Sequence, residues 1–122
     1  MAYTTIDNPG LFFNTVLYTG ANKSITGVNF QPDWVWIKER DSGYHAIFDS
    51  IRGATKILSS NVTNAESTQS DTLTSFDSDG FTLGADSSNY VGGSSTSTVS
   101  WNWLAGTSFS NDASATGIGT ID

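Results

Sequence analysis

The clearest pattern in the chain is the alternation of bulky apolar residues over short segments. In residues 34–40, Val35 and Ile37 fall on one face of an extended strand, and Trp34 and Trp36 fall on the other. The charged residues that follow, Lys38, Glu39 and Arg40, predict that this strand ends in water. Residues 99–104 repeat the pattern, with Val99, Trp101 and Trp103 on a shared face.

Turn signals divide the rest of the chain into further short strands. The Asp79-Gly80 pair is typical of a hairpin between two of them. Residues 86–97 are rich in Ser and Gly and predict a mobile loop. Many short strands spaced by turns predict an all-β fold, an antiparallel β-sandwich of the jelly-roll type. The additional strands are predicted at residues 12–18, 24–30, 45–49, 55–59, 72–77 and 81–84.

The pattern also predicts how the chain is organised. Residues 1–10 end in a turn signal and form an N-terminal arm, residues 11–106 form a single sandwich domain, and residues 107–122 form a polar C-terminal tail. Because the tail is too poor in apolar residues to pack a core, we expect both termini to extend and at least one of them to contact another chain. The residues expected at such an interface are Phe109, Ile118 and Ile121 in the tail and Arg52, which Gly53 would hold in a fixed presentation.

Composition and charge exclude several partners. The chain of 122 residues fits one domain, and its net charge of −7 leaves no basic stripe for nucleic acid or for an anionic membrane. It contains no Cys, so disulfides and thiolate metal sites are excluded. No apolar run reaches the roughly 20 residues that span a bilayer, and the first residues do not resemble a signal peptide. We therefore expect synthesis in the cytoplasm.

The inventory of reactive residues does not predict an enzyme. His45 is the one histidine, and a triad drawn with Asp49 and any of the many serines has no specificity. Asp77 and Asp79 resemble the start of a calcium loop, but the remaining ligands of that loop are missing. We expect no catalytic residue, no metal and no cofactor.

The tryptophans allow two interpretations. Trp34 and Trp36 form one W-x-W pair, and Trp101 and Trp103 form a second. The four rings could fill the core of the sandwich, because large aromatic side chains bury much area. They could instead form an aromatic platform for sugar or for a protein partner. The sequence leaves both interpretations open.

Residues 13–106 resemble a module found in virion structural proteins of tailed bacteriophages, many of them marine. The resemblance implies a virion structural protein and no established catalytic residues. It rests on these segments: Leu17-Tyr18-Thr19-Gly20, Ser24-Ile25-Thr26-Gly27, Phe30-Gln31-Pro32-Asp33-Trp34-Val35-Trp36-Ile37-Lys38, His45, Phe48-Asp49-Ser50, Arg52-Gly53-Ala54-Thr55-Lys56, Phe76-Asp77-Ser78-Asp79-Gly80-Phe81 and Trp101-Asn102-Trp103.

The resemblance, the small size and the negative charge together predict a capsid decoration or cement protein. Such a protein lies on the capsid exterior at the virion surface, binds across subunits of the major capsid protein and often assembles as a homotrimer. The alternative is a tail-fibre or head-fibre module that binds host surface glycan through exposed aromatic rings. A glycan-cleaving depolymerase is disfavoured, because the sequence shows no acid pair or metal site.

Overall fold

The computed structural model of the protein describes residues 8–41 and 43–105. The predicted tail, with Phe109, Ile118 and Ile121, lies outside the described residues, as does most of the predicted N-terminal arm. The expectation that both termini extend therefore stays a prediction.

The described residues form nine β-strands and one turn of 3-10 helix. The helix, Pro9–Leu11, begins after Asn8, whose side chain accepts a hydrogen bond from the backbone of Gly10 at 3.1 Å. The strands are β1 (Phe13–Thr19), β2 (Lys23–Ile25), β3 (Trp34–Glu39), β4 (His45–Asp49), β5 (Lys56–Ser59), β6 (Ser67–Thr68), β7 (Leu73–Asp77), β8 (Gly80–Leu83) and β9 (Ser97–Trp103).

The strands form two sheets in which every pairing is antiparallel. The larger sheet has six strands in the order β1-β9-β3-β4-β5-β6, and the smaller has three in the order β2-β8-β7. Strand β9, the last of the described strands, thus lies between β1 and β3. This arrangement confirms the predicted all-β antiparallel sandwich, with its strands divided six to three.

The hydrophobic core lies between the two sheets. Alternate residues of β3, β4 and β5 point inward from the larger sheet, as the period of two requires. Val91 joins the core from the loop before β9. The buried apolar residues of the larger sheet are Val35, Ile37, Ala46, Phe48 and Ile57, and those of the smaller sheet are Ile25, Leu73, Phe81 and Leu83.

The second strand is shorter than predicted, for a local reason. It ends at Ile25, whereas the sequence predicted a strand over residues 24–30. Gly27 and Asn29 have φ angles of 86° and 72°, in the left-handed region, which ends the extended backbone. Asp79, in the β7–β8 hairpin, holds this segment by accepting hydrogen bonds from the backbone N–H groups of Gly27 at 3.0 Å and Asn29 at 2.6 Å.

The loop predicted to be mobile is instead anchored around a buried carboxylate. Asp86 is 3% exposed and accepts hydrogen bonds from the backbone N–H groups of Tyr90, Val91 and Gly93 at 2.7–3.0 Å. Tyr18 of β1 donates to the carbonyl of Val91 at 2.7 Å. Because three donors satisfy this carboxylate, the polar loop can pack against the sandwich.

Glu39, predicted to reach water at the end of β3, is instead fully buried. Its position follows from the alternation that it shares with Val35 and Ile37. Both carboxylate oxygens lack hydrogen-bond partners among the described residues. Burial raises the pKa of Glu39, Asp86 and Asp41 raise it further, and Lys38 opposes them. Folding therefore shifts the protonation equilibrium of this side chain toward the neutral form, relative to the unfolded chain.

The raised pKa of Glu39 predicts a pH-dependent stability. Because the folded state holds this proton more tightly than the unfolded chain, stability falls as pH rises from the ordinary value of 4.5 through the folded-state pKa. Gln does not ionise, so Glu39→Gln does not lose stability in this way. The unfolding free energy of the variant should therefore rise relative to that of the wild type between about pH 4 and about pH 7.

Urea denaturation across this pH range measures the effect. Glu66→Gln is the matched control, because Glu66 is exposed and should not produce the same pH-dependent gain. Parallel stability curves for the wild type and Glu39→Gln would contradict the prediction.

Candidate interaction surface on the larger sheet

The outer face of the six-stranded sheet is unusually rich in aromatic side chains. The residues that alternate with the core positions of β1, β9 and β3 point outward and are half-buried or exposed. We call this surface the aromatic face and define it by Phe13, Trp34, Trp36, Trp101 and Trp103. Its apolar flank consists of Leu17, Val99, Ile47 and Leu58.

Strand register explains why these rings meet. Trp103 lies opposite Phe13 on one side and Trp34 on the other, and Trp36 lies opposite Trp101. The ring centroids are 4.9 Å apart for Phe13 and Trp103, 4.4 Å for Trp103 and Trp34, 6.3 Å for Trp34 and Trp36, and 5.2 Å for Trp36 and Trp101. The five rings therefore form one continuous cluster across three strands, at separations typical of favourable aromatic pairs.

The position of the cluster decides between the two interpretations of the tryptophans. None of the four belongs to the buried core between the sheets, and each is half-buried on the outer face. The core interpretation is thus wrong, because these rings alternate with the core positions Val35 and Ile37 rather than sharing their face. The platform interpretation agrees with this placement.

The chemistry of the face is predominantly apolar. On the β1 side its flank includes Leu17, which is 66% exposed, and on the β5 side it includes Leu58. The indole N–H of Trp36 is buried and has no hydrogen-bond partner within residues 8–41 and 43–105. The outward charged residues lie toward the ends of the strands, where Lys38 pairs with His45 and Asp49 lies opposite Trp34. Such a surface suits an apolar partner better than a hydrogen-bonding one.

Arg52, predicted at an interface, connects β4, β5 and the segment before β6 through ion pairs and hydrogen bonds. Its guanidinium contacts Asp49 at 2.5 Å and Glu66 at 3.2 Å, and it donates to the carbonyls of Ile47 and Lys56 at 3.3 Å. Desolvation raises the pKa of Asp49, but hydrogen bonds from the backbone and side chain of Arg52 outweigh it and lower the pKa overall. The following Gly53 has a φ of 94°, as expected from the sequence. The interface role of Arg52 stays a prediction.

His45 is not organised as a catalytic base in the described part of the chain. It lies on β4 opposite Lys38, and its recorded hydrogen bonds involve its backbone: its N–H donates to Asn61, and its carbonyl accepts from Ser60. Asp49, the acid considered with it, is engaged by Arg52. Within the described residues, the side chain of His45 therefore makes no hydrogen bond to a hydroxyl or a carboxylate.

The two aspartates of the β7–β8 hairpin bind protein groups. Asp77 accepts hydrogen bonds from the hydroxyls of Ser75 at 2.8 Å and Thr82 at 2.6 Å, while Asp79 holds the backbone after β2. The hydrogen bonds from Gly27 and Asn29 lower the pKa of Asp79. No cluster of three or more metal-ligating side chains occurs among the described residues.

Sequence reasoning missed the two residues that β1 contributes to this surface, Phe13 and Leu17. Both belong to a strand that was predicted, and their spacing of four places them on one face. Nothing local in the sequence indicates that β1 pairs with β9, the strand that carries two of the tryptophans.

Comparisons with known proteins give a family without a known role. A family model described as "Domain of unknown function (DUF7483)" matches residues 8–121. No curated protein and no solved structure matches the chain. Within the described residues, no helix is long and apolar enough to cross a membrane.

The half-buried position of the tryptophans predicts a modest contribution to stability. Phe48→Ala should lower the unfolding free energy by about 3–5 kcal/mol, because Phe48 is fully buried. Trp101→Ala should lower it by about 1–3 kcal/mol, because the ring gives up partial burial and one aromatic contact. Urea denaturation of both variants makes the comparison. An equal or larger loss for Trp101→Ala would show that the face is a second core.

The hydrogen bonds of the two hairpin aspartates predict that calcium has no effect on folding. Thermal melting curves in calcium and in chelator should overlay, because Asp77 and Asp79 already accept hydrogen bonds from the protein. An upward shift in calcium would mean that the ion binds the folded state preferentially. Asp79→Asn would then serve to locate the ion.

Proposed function

We propose that this chain, which belongs to the DUF7483 family, is a non-enzymatic structural protein of a tailed-bacteriophage virion, a capsid decoration protein that binds across subunits of the major capsid protein. The resemblance to phage structural modules supports the virion context. A single small sandwich with no assembled catalytic group in its described part supports binding rather than catalysis.

The aromatic face is the observation that carries this proposal. Its five rings and their apolar flank lie on the outer surface of the larger sheet. Contiguous apolar patches of this kind mark interaction sites, and tryptophan is among the residues that contribute most to binding energy. A partner that covers the face would remove these rings from water and recover the burial that folding leaves incomplete.

Charge adds a preference among protein partners. The chain has 12 acidic and 5 basic residues, and its net charge of −7 favours a basic surface as its neighbour. The rings supply apolar contact, while the net negative charge of the chain steers the approach to a basic partner. Phe109, Ile118 and Ile121 are proposed as further contacts to neighbouring capsid subunits.

Glycan binding by a fibre module is the second candidate, and the half-exposed tryptophans favour it. Stacking of a sugar needs a flat exposed ring with polar groups beside it. The aromatic pairs of this face are tilted by 47–55° to one another, and aliphatic Leu17, Val99, Ile47 and Leu58 flank them. This geometry fits a protein surface better than a sugar ring, so the decoration role leads.

A binding assay on phage capsids tests the decoration proposal. Purified protein is added to capsids that lack it, and co-sedimentation on a density gradient measures occupancy. Trp103→Ala should weaken binding at least about tenfold, because central tryptophans commonly contribute about 2 kcal/mol or more. Val62→Lys is the control, since Val62 is exposed in the loop between β5 and β6 and away from the aromatic face.

The alternative outcomes separate the candidates. Many copies per particle in purified virions support decoration, whereas few copies together with binding to host cells support the fibre module. Wild-type protein that binds neither capsids nor cells would overturn both proposals. Trp103→Ala that retains its fold and binds capsids as the wild type does would show that the aromatic face is not the docking surface.

A further inference from the structure

Among the described residues, strand β1 forms an unprotected edge of the six-stranded sheet. Within the described residues it pairs with β9 alone, which leaves its other edge without a partner. It is seven residues long, and residues 9–22 contain no charged side chain. The opposite edge, β6, has only two residues. Proteins normally protect edge strands by shortening them or by placing charges or proline on them, and β1 has none of these features.

Flanking hydrogen bonds fix which backbone groups face the open edge. Leu104 donates to the carbonyl of Phe12 at 2.8 Å, and Gly20 donates to the carbonyl of Thr96 at 3.2 Å. In an antiparallel pair the hydrogen-bonded positions alternate, so the even-numbered residues of β1 bond to β9. The N–H and C=O groups of Phe13, Thr15 and Leu17 therefore point away from the sheet.

The same edge concentrates the exposed apolar surface. Of the seven large hydrophobic side chains that are exposed in the described part, four lie here: Leu11, Phe12, Phe13 and Leu17. Their exposed fractions are 52%, 37%, 37% and 66%. Free backbone groups and apolar side chains thus occur together, as strand addition requires.

We infer that β1 pairs antiparallel with β1 of a second copy of this chain, about a two-fold axis through Thr15. This register places Phe13 opposite Leu17 of the second copy and Thr15 opposite itself. It uses the open backbone groups of Phe13, Thr15 and Leu17. It leaves Thr19 unpaired, in agreement with the carbonyl of Thr19 already accepting a hydrogen bond from the Nζ atom of Lys23.

Charge favours a second copy at this edge in particular. Two chains of net charge −7 repel each other over most of their surfaces, but the uncharged segment at residues 9–22 lets them meet without opposing like charges. A two-fold contact closes on itself, because each copy presents the same strand. Pairing would also join the two large sheets edge to edge and bring two aromatic faces side by side. This inference goes beyond the capsid proposal, does not depend on it, and differs from the homotrimer that the sequence analysis expects of a decoration protein.

Sedimentation equilibrium of the purified full chain tests the pairing. The wild type should show a mass of twice 13.0 kDa. Leu17→Lys should raise the dimer dissociation constant at least about tenfold, because it places a charge on the edge of each copy. Leu58→Lys is the matched control: it adds the same charge on the same outer face, at β5, and should leave the dimer intact. Circular dichroism confirms that both variants are folded.

A cysteine cross-link tests the register. In a hydrogen-bonded antiparallel pair the Cα atoms are about 5.5 Å apart, within the range that a disulfide bridges. Because the chain has no cysteine, Thr15→Cys should give a covalent dimer on mild oxidation, whereas Thr68→Cys on the exposed β6 edge should not. A wild-type monomer or trimer, a Leu17→Lys variant that dimerises as the wild type does, or equal cross-linking of the two cysteine variants would overturn the inference.

Discussion

The structure depends on the register in which β9 pairs with β1 and β3. Because β9 lies between them, its alternation sets which side chains of three adjacent strands share a face. In the observed register Trp103 meets both Phe13 and Trp34 on the outer side. A slip of one residue would turn the tryptophans inward and expose Thr98, Ser100 and Asn102, which are now fully buried.

Polar contacts on the inner side of β9 help to hold this register. The Asn102 amide donates to the carbonyl of Asn14 at 3.1 Å and to the Ser100 hydroxyl at 3.1 Å. At the end of the strand, Asp33 accepts from the backbone of Ala105 at 2.9 Å and from the Ser50 hydroxyl at 2.9 Å. The bonds of Asn102 satisfy polar groups that the inner position removes from water, although its side-chain oxygen has no partner among the described residues.

Local signals in the sequence predicted where most elements lie. Strand β4 occupies residues 45–49 as predicted, and the β7–β8 hairpin turns at Asp79 as the Asp-Gly pair indicated. The period of two also grouped the tryptophans correctly, but it defines two faces without saying which one meets the core. That choice is made by strand order, which is non-local. For the same reason the sequence did not reveal the burial of Glu39 or the exposed edge at Phe13 and Leu17.

On β9 the polar residues face the core and the large aromatic residues face outward, which reverses the usual arrangement of a strand. A sequence selected only to fold would bury Trp101 and Trp103 and expose Ser100 and Asn102, because burial of large apolar side chains is the main stabilising contribution. Here the inner face of β9 is polar, and the bulk of the core comes from β3, β4, β5 and the smaller sheet. The larger sheet thus leaves its aromatic side chains partly exposed to water, and this incomplete burial lowers the stability of the fold. A partner surface that covered these rings would recover that loss of stability, which is the physical reason for proposing the aromatic face as half of an interface.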